Sequence, residues 1–276
     1  MERVLRQTWG FLFRDYQVTR RYFSWVVVFT FYAVVNSATV VLIGVAAGDR
    51  RLTLMLMVGV MLWGLLSIIF QEIANSITYE RWEGTLEYTF MAPVSRLVHL
   101  TGVSLYTIIY SVVRTAVIVA GLALFIDLDL AGANWPGVLV VLLVSSLAFV
   151  GLGLMAAVLP VFSPERGAEA TNIFQGVLLL VSGVYYPVEV LPAWLQPLAY
   201  VSPATYALSA CRKLIGVEGF GQTQAEGQLT GAPLGAVVPE LLVLTAMGLL
   251  MVPSGLYVFG LVERWAKHTG KLKRTG

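Results

Sequence analysis

Six apolar runs of roughly membrane-spanning length constrain this chain more than any other feature. They cover residues 23–47, 52–70, 97–126, 138–162, 171–186 and 234–261, and the fifth is somewhat short. An α-helix of about 20 apolar residues crosses the hydrocarbon core with all its backbone polar groups bonded within the segment. Because little chain remains outside the runs, we predict one all-α integral membrane domain over residues 1–276 with six transmembrane helices.

Composition excludes several function classes. The 276 residues are 58% apolar and 12% charged, with a mean hydropathy of +0.79, whereas soluble domains are about 25% charged. The net charge of +2 is too small to indicate a nucleic-acid partner. One cysteine, Cys211, excludes an intrachain disulfide, and His99 and His268 form no metal-binding array.

Residues 1–22 have an amphipathic pattern. Leu5, Trp9, Leu12 and Tyr16 share one helical face, and Arg3, Arg14 and Arg21 fall opposite. This pattern predicts a helix lying in the membrane interface, with its aromatic side chains at headgroup depth and its arginines in water. The alternative is a positively charged tail.

The stretch from Tyr79 to Leu97 gathers charge between the second and third runs. Its charged residues are Glu80, Arg81, Glu83, Glu87 and Arg96. Pro93 cannot donate a backbone hydrogen bond and Ser95 can cap a helix, so one helix should end here and another begin. We predict a short amphipathic helix over residues 79–96. The alternative is a hairpin loop with ordinary solvated charge.

A second unusual stretch, residues 187–212, is both apolar and rich in proline. It contains Pro187, Pro192, Pro197 and Pro203, together with Trp194. These prolines rule out one straight helix, and irregular backbone at membrane depth is tolerated only inside protein or along a cavity. We therefore predict a re-entrant pair of short helices that enters the membrane from the outer face.

The two stretches together resemble the type-2 ABC exporter permeases, which include daunorubicin-resistance-type drug exporters and polysaccharide exporters. The first motif reads Glu-Arg-x-Glu-Gly-Thr-Leu-Glu from residue 80, then Pro-Val-Ser-Arg from residue 93. The second reads Gly-x-x-x-Pro from residue 183, Leu-Pro-x-Trp from residue 191, and Ser-Pro from residue 202, followed by Thr205-Tyr206-Ala207 and Arg212.

The resemblance implies roles for both motifs. The first would be the coupling helix that docks on an ATP-binding subunit, through Glu80, Arg81, Glu83, Thr85, Glu87 and Pro93. The second would be the outer gate, with Pro187, Pro192, Trp194 and Pro203. The chain lacks the Gly-x-x-x-x-Gly-Lys phosphate loop. We therefore expect no cofactor and no catalytic residue here, and ATP and Mg bound by two copies of the partner subunit.

Several polar and aromatic residues within the spans are candidates to line a pathway. They are Arg114, Asn36, Tyr32 and Tyr110, with Phe29 and Tyr106 as further aromatics. An arginine at mid-membrane costs about 2.5–3.5 kcal/mol on insertion scales, so Arg114 should face protein, a carboxylate or a wet cavity. Its alternatives are a role in substrate passage and a structural hydrogen bond to a neighbouring helix. Core packing is the alternative for each of the others.

The distribution of lysine and arginine predicts the orientation. With six spans, thirteen of these residues lie on the side of the termini. Arg50, Arg51, Arg212 and Lys213 lie opposite. Positive residues favour the cytoplasmic side, so we expect both termini in the cytoplasm and a place in the inner (plasma) membrane.

The predicted function is a permease subunit of an ATP-driven exporter for a hydrophobic or amphipathic drug or lipid. Six spans make half a pathway, so we expect a dimer with a second protomer, either identical or related. One alternative cargo is a lipid-linked polysaccharide or glycolipid. A membrane-embedded lipid-modifying enzyme and a membrane scaffold are alternatives of other classes.

Overall fold

All regular secondary structure in the described part of the chain is helical. The computed structural model describes residues 2–126, 132–162, 167–217 and 231–269, and no strand occurs among them. The α-helices are α1 (Glu2–Arg21), α2 (Phe23–Ala46), α3 (Arg50–Trp82), α4 (Leu86–Met91), α5 (Arg96–Phe125), α6 (Trp135–Ala156), α7 (Val158–Phe162), α8 (Gly167–Val181), α9 (Gln196–Val201), α10 (Pro203–Ile215) and α11 (Val238–Thr269), with 3₁₀ turns at Val188–Val190 and Leu234–Val237. The predicted all-α class is confirmed.

Five helical segments of this part are long and apolar enough to cross a membrane. They are Phe23–Ala46, Arg50–Glu80, Arg96–Phe125, Trp135–Val161 and Leu234–His268. Among the described residues, the fifth predicted run forms α8, Gly167–Val181. It ends before the predicted Tyr186 because Gly183 turns the chain in the left-handed region, at φ +66°. A sixth crossing therefore stays a prediction.

Helix α3 lies at the centre of the bundle. In the most apolar 18-residue stretch of α3, 78% of the residues are buried, whereas the corresponding share in α2 is 6%. It contacts α2, α5, α6, α8 and α10. This explains its near-continuous apolar sequence, since a helix surrounded by protein has no polar face to present. The outer helices leave many apolar side chains exposed, as expected where lipid or another protein covers them.

Glycines allow α6 and α11 to pack closely. A methyl group at Gly151 would lie 2.6 Å from the backbone carbon of Met251, and one at Gly255 would lie 2.7 Å from the carbonyl oxygen of Gly151. The small residues of Gly151-Leu152-Gly153 also predict close helix packing from the sequence alone, and the contacts of Gly151 agree with this. The fourth run breaks between α6 and α7 because Pro160 cannot donate to the carbonyl four residues earlier.

Helix α1 packs along the first half of α5. A side chain at Gly102 would lie 2.7 Å from Cβ of Phe11, so glycine permits the two backbones to approach. Leu5, Trp9 and Tyr16 remain exposed, which leaves the predicted apolar face free to meet lipid. The helix itself is confirmed, and its depth in the membrane stays a prediction.

Backbone hydrogen bonds join the start of α6 to the end of α10. Asn134 N donates to Leu214 O at 2.9 Å, and Ala232 N donates to Lys213 O at 3.0 Å. From the sequence we also expect Asp127 and Asp129 to mark the outer side and residues 216–233 to form an exposed outer loop. Both aspartates and most of that loop lie outside the described residues.

Candidate functional site

The predicted coupling stretch is a turn, a short helix and a linker rather than one helix. Residues 79–82 belong to the end of α3, and Gly84 then adopts a left-handed conformation, at φ +72°. The six-residue α4 follows, after which the chain is extended at Ala92. Ser95 Oγ accepts a hydrogen bond from Val98 N at 3.3 Å. The predicted break at Pro93 and cap at Ser95 are confirmed.

The tip of this loop presents an exposed surface. Tyr88 and Met91 are 80% and 82% exposed, although both carry large apolar surface. Glu83, Thr85 and Pro93 are also exposed. The side chains of the predicted residues Arg81 and Glu87 lie outside what the structure describes. We call the surface of Glu83, Thr85, Tyr88, Met91 and Pro93 the loop tip.

Glu80 differs from the loop tip because its carboxylate is buried. Its Oε1 accepts a hydrogen bond from Arg14 Nη1 at 2.6 Å and lies 3.5 Å from Nε2 of the buried His99. In this conformation Glu80 cannot offer the direct partner contact expected from the sequence. It instead joins the end of α3 to α1 and α5.

Arg14 also differs from its expected place in water. Its guanidinium contacts Asp15 at 3.0 Å as well as Glu80. Burial lowers the pKa of Arg14, but the charges of Asp15 and Glu80 outweigh it and the net shift is upward. Burial raises the pKa of Asp15 despite the opposing charge of Arg14. No periodicity in the sequence could reveal a pair 66 residues apart.

We call the two ends of the loop, at Glu80 of α3 and Arg96 of α5, its roots. The second root is joined to α11. Arg96 makes two parallel hydrogen bonds to Glu263, of 3.0 Å from Nε and 3.1 Å from Nη2. Lys267 Nζ lies 2.8 Å from the same carboxylate. Two-point pairing of arginine with a carboxylate fixes both distance and orientation. The C-terminal helix is therefore held at the start of α5.

The predicted outer gate is built of short helices, as expected. Pro187 precedes the 3₁₀ turn at Val188–Val190, and Pro203 begins α10. Trp194 is 74% exposed and Pro192 is also exposed. Their depth in the membrane is not fixed by these contacts, so the re-entrant placement and the gate role stay predictions.

Arg212 ties this outer segment to the end of α8. It donates to the carbonyl oxygens of Gly183 and Val184, both at 3.2 Å. Val184 O in turn lies against Gly59 of α3, where a methyl group would come within 2.4 Å of it. The second motif includes Arg212 and its expected location is on the outer side, but the sequence did not reveal these contacts.

The candidate pathway residues lie on α2 and α5. Arg114 donates from Nη2 to Phe29 O of α2 at 3.0 Å, and its guanidinium lies 6.0 Å from the Tyr110 ring centre. Its Nε is buried without a hydrogen-bond partner. Tyr32 and Asn36 are exposed on α2, where Asn36 bonds Tyr32 O. The structure thus supports the structural hydrogen bond expected as one alternative, and leaves a free donor beside it.

Glu72 of α3 was not selected from the sequence as a pathway residue. It lies near enough to Arg114 for the two charges to interact. A carboxylate facing Arg114 was expected in general terms, but its identity depended on how α3 and α5 pack. In the described part of the chain, no group of three or more His, Cys, Asp or Glu side chains could hold a metal ion.

Comparison with known proteins agrees with this arrangement. The family model described as "ABC-2 type transporter" matches residues 4–215, which include the loop tip, the Arg114 region and the outer segment. The chain belongs to the ABC-2 type transporter family. The resemblance drawn from the two motifs is thereby confirmed.

A curated relative in this ABC-2 type family is the linearmycin resistance permease protein LnrN of Bacillus subtilis (strain 168). It is 35% identical to this chain over 89 residues. The match covers 31% of this chain and 23% of that permease. The chain thus matches about a quarter of the length of that permease, and its membership of the family rests on the family model.

Proposed function

We propose that this permease is the membrane subunit of an ATP-driven exporter whose energy enters through the loop tip. Two ATP-binding subunits, which would bind ATP and Mg, dock there and move the loop. The single observation that carries the proposal is the loop tip itself. It exposes Tyr88 and Met91 almost fully, yet both of its roots are held by ion pairs whose carboxylates, those of Glu80 and Glu263, are buried.

A rigidly held surface is suited to transmit force. Exposed aromatic and methionine side chains are typical anchors at protein interfaces. Glu83 adds an acidic group beside them. A loop without anchored roots would absorb the displacement of a docked subunit, whereas this one would pass it to α3 and α5.

The cargo is a hydrophobic or amphipathic compound such as a drug or lipid. The name of LnrN concerns resistance to linearmycin, which favours a drug or lipid over a polysaccharide. Arg114, with Tyr110 and the exposed Tyr32 and Asn36, would contact the polar part of the cargo. The route would run between two copies of the chain, along the exposed faces of α2 and α5. The permease would lie in the inner membrane with both termini in the cytoplasm.

Reversing the charge of Glu83 tests the proposal. Glu83→Lys, and equally Glu87→Lys, should uncouple ATP hydrolysis from export while the protein still inserts. We expect export per ATP hydrolysed to fall about tenfold, which corresponds to about 1.4 kcal/mol. The assay uses the permease reconstituted with its ATP-binding subunit and either a labelled amphipathic drug or a lipid-linked glycan.

The matched control is Glu2→Lys, the same change at an exposed residue of α1 that belongs to neither the loop nor the outer segment. It should leave the ratio unaltered. Normal export by both loop variants would refute the docking assignment. Stimulation of hydrolysis by the glycan alone would favour the polysaccharide alternative instead.

A further inference from the structure

The two roots of the loop are connected to each other through His99. Arg96 Nη1 lies 3.3 Å from His99 Nδ1, and His99 Nε2 lies 3.5 Å from Glu80 Oε1. Because a guanidinium can only donate, Nδ1 is the acceptor. The contact of Nε2 with Glu80 Oε1 is a close polar contact and not a hydrogen bond, since Nε2 has no hydrogen-bond partner among the described residues. His99 therefore bridges the end of α3 and the start of α5.

This bridge joins two ion pairs into one chain of polar contacts. We call it the base network, and it consists of Asp15, Arg14, Glu80, His99, Arg96, Glu263 and Lys267. It runs from α1 through α3 and α5 to α11. Four helices far apart in the sequence are thus held together at the end of the bundle that bears the loop tip.

The network is shielded from water at its centre. His99 is 1% exposed and Glu80 is 6% exposed. The Phe11 ring covers His99 at a centroid distance of 4.6 Å and lies 5.4 Å from the Arg14 guanidinium. Removing one partner of such an ion pair would leave the other charge, here a buried carboxylate, uncompensated. The contacts should therefore resist sliding past one another.

We propose that the base network makes both roots of the loop move as one body with α1 and α11, so that its members are positioning residues for transport. This inference rests on the proposed function, since the displacement would come from the docked ATP-binding subunit. Without the network, the loop would act only on α3 and α5, the helices it joins covalently. With it, the N-terminal and C-terminal helices receive the same displacement.

A double-mutant cycle across the ends of the network tests this connection. Arg14 and Glu263 are joined through Glu80, His99 and Arg96. We expect Arg14→Gln and Glu263→Gln each to lower export per ATP hydrolysed about tenfold, or about 1.4 kcal/mol. If they act through one network, the double variant should lose about tenfold, because neighbours in a network are non-additive. A loss of about a hundredfold, or an unchanged ratio in the single variants, would overturn the proposal.

His99 offers a sharper test because the proposed connection between Glu80 and Arg96 runs through this residue. His99→Phe keeps a ring against Phe11 but can neither accept from Arg96 nor place a polar nitrogen beside Glu80. In that background the two end substitutions should become additive. His99→Gln, which keeps an acceptor and a polar nitrogen, serves as a second variant if the first does not fold, and should preserve part of the coupling. Arg3→Gln, at an exposed position of α1, is the matched control and should change nothing.

The same double-mutant cycle, measured as unfolding of the permease without its ATP-binding subunit, separates this inference from the proposed function. The thermal unfolding midpoint in detergent needs no ATP-binding subunit. Coupled effects on unfolding, with no ATP-driven export by the unaltered protein, would leave the connection standing and refute the exporter proposal. Additive effects on unfolding would overturn the connection even if export works. Coupled unfolding with unaltered export per ATP would make the network structural only, which also overturns the proposal.

Discussion

Arg114 carries its charge into the middle of α5, where an unpaired cation is costly. One of its donors is used on Phe29 O, and its buried Nε has no hydrogen-bond partner. This arrangement leaves one donor of the guanidinium unused, although that atom is buried. Glu72 of α3 lies near enough for its carboxyl group to interact with Arg114.

Replacing Arg114 should alter transport more than folding. In Arg114→Ala the lost hydrogen bond, worth about 1.5–3 kcal/mol for a charged donor, is offset by removal of a buried charge. We expect the unfolding midpoint to change little and the export rate to fall about tenfold, that is by about 1.4 kcal/mol. Arg114→Lys should recover part of the rate.

The comparison variant is Asn36→Ala, whose hydrogen bond lies within its own helix. Export and unfolding are measured on the same preparations. An unaltered export rate in Arg114→Ala would assign the residue to packing alone.

Individual contacts were the least predictable level. The motif around Glu80 could be found in the sequence, but its partners Arg14 and His99 could not. Arg96 and Glu263 are 167 positions apart, and nothing in the spacing of charges selects one distant partner among many. The hydrogen bond of Ser95 to Val98 was predictable because a helix cap depends on residues three positions apart.

The α6–α11 pair owes its closeness to glycine. Gly255→Ala should destabilise the permease by about 1–3 kcal/mol, because the new methyl would meet the Gly151 carbonyl and force the helices apart. The matched control is Gly260→Ala on the same helix, where nothing lies within 4 Å. That variant should be neutral or stabilising, because alanine favours a helix more than glycine does.

Unfolding in detergent, followed by circular dichroism at a fixed detergent concentration, would compare these two variants directly. Equal midpoints for Gly255→Ala and Gly260→Ala would contradict the packing described here. The comparison is sharp because both substitutions add one methyl group to the same helix.

Helices were predictable where hydrophobic runs are long and their ends are marked by proline or serine. The predicted run over residues 171–186 extends beyond the end of α8, because apolar residues continue past the left-handed Gly183. The stretch at 79–96 was read as one helix because its amphipathic pattern extends across Gly84. In both cases a single glycine turn outweighed the hydrophobic pattern, and only the backbone reveals that.

The bundle as a whole has an expected orientation that can be measured by labelling. In a Cys211→Ser background, Tyr88→Cys should react with a membrane-impermeant maleimide only in inverted vesicles. Trp194→Cys should react only in intact cells. Both positions are more than 70% exposed, at 80% and 74%, so access through the protein does not limit the reaction.

Adding the ATP-binding subunit should then suppress labelling at Tyr88→Cys and leave Trp194→Cys unaffected. Reaction of Tyr88→Cys from outside would reverse the orientation and, with it, the coupling assignment. The buried native Cys211 should contribute little background before it is replaced.

The membrane class and the family were the most predictable level, since they follow from hydropathy and from two motifs at the two ends of the bundle. The order in which helices surround α3 was not predictable. It depends on which faces fit together, and apolar faces of similar composition do not encode their partners individually.

The contacts of Arg212 with Gly183 and Val184 link the outer segment to the end of α8. With α8 as the expected fifth crossing, its outer end and the short helices after it would share one depth in the bilayer. A thicker hydrocarbon core would then draw those helices deeper and a thinner one would relax them. We therefore expect the lipid composition of the membrane to affect how readily the outer side opens.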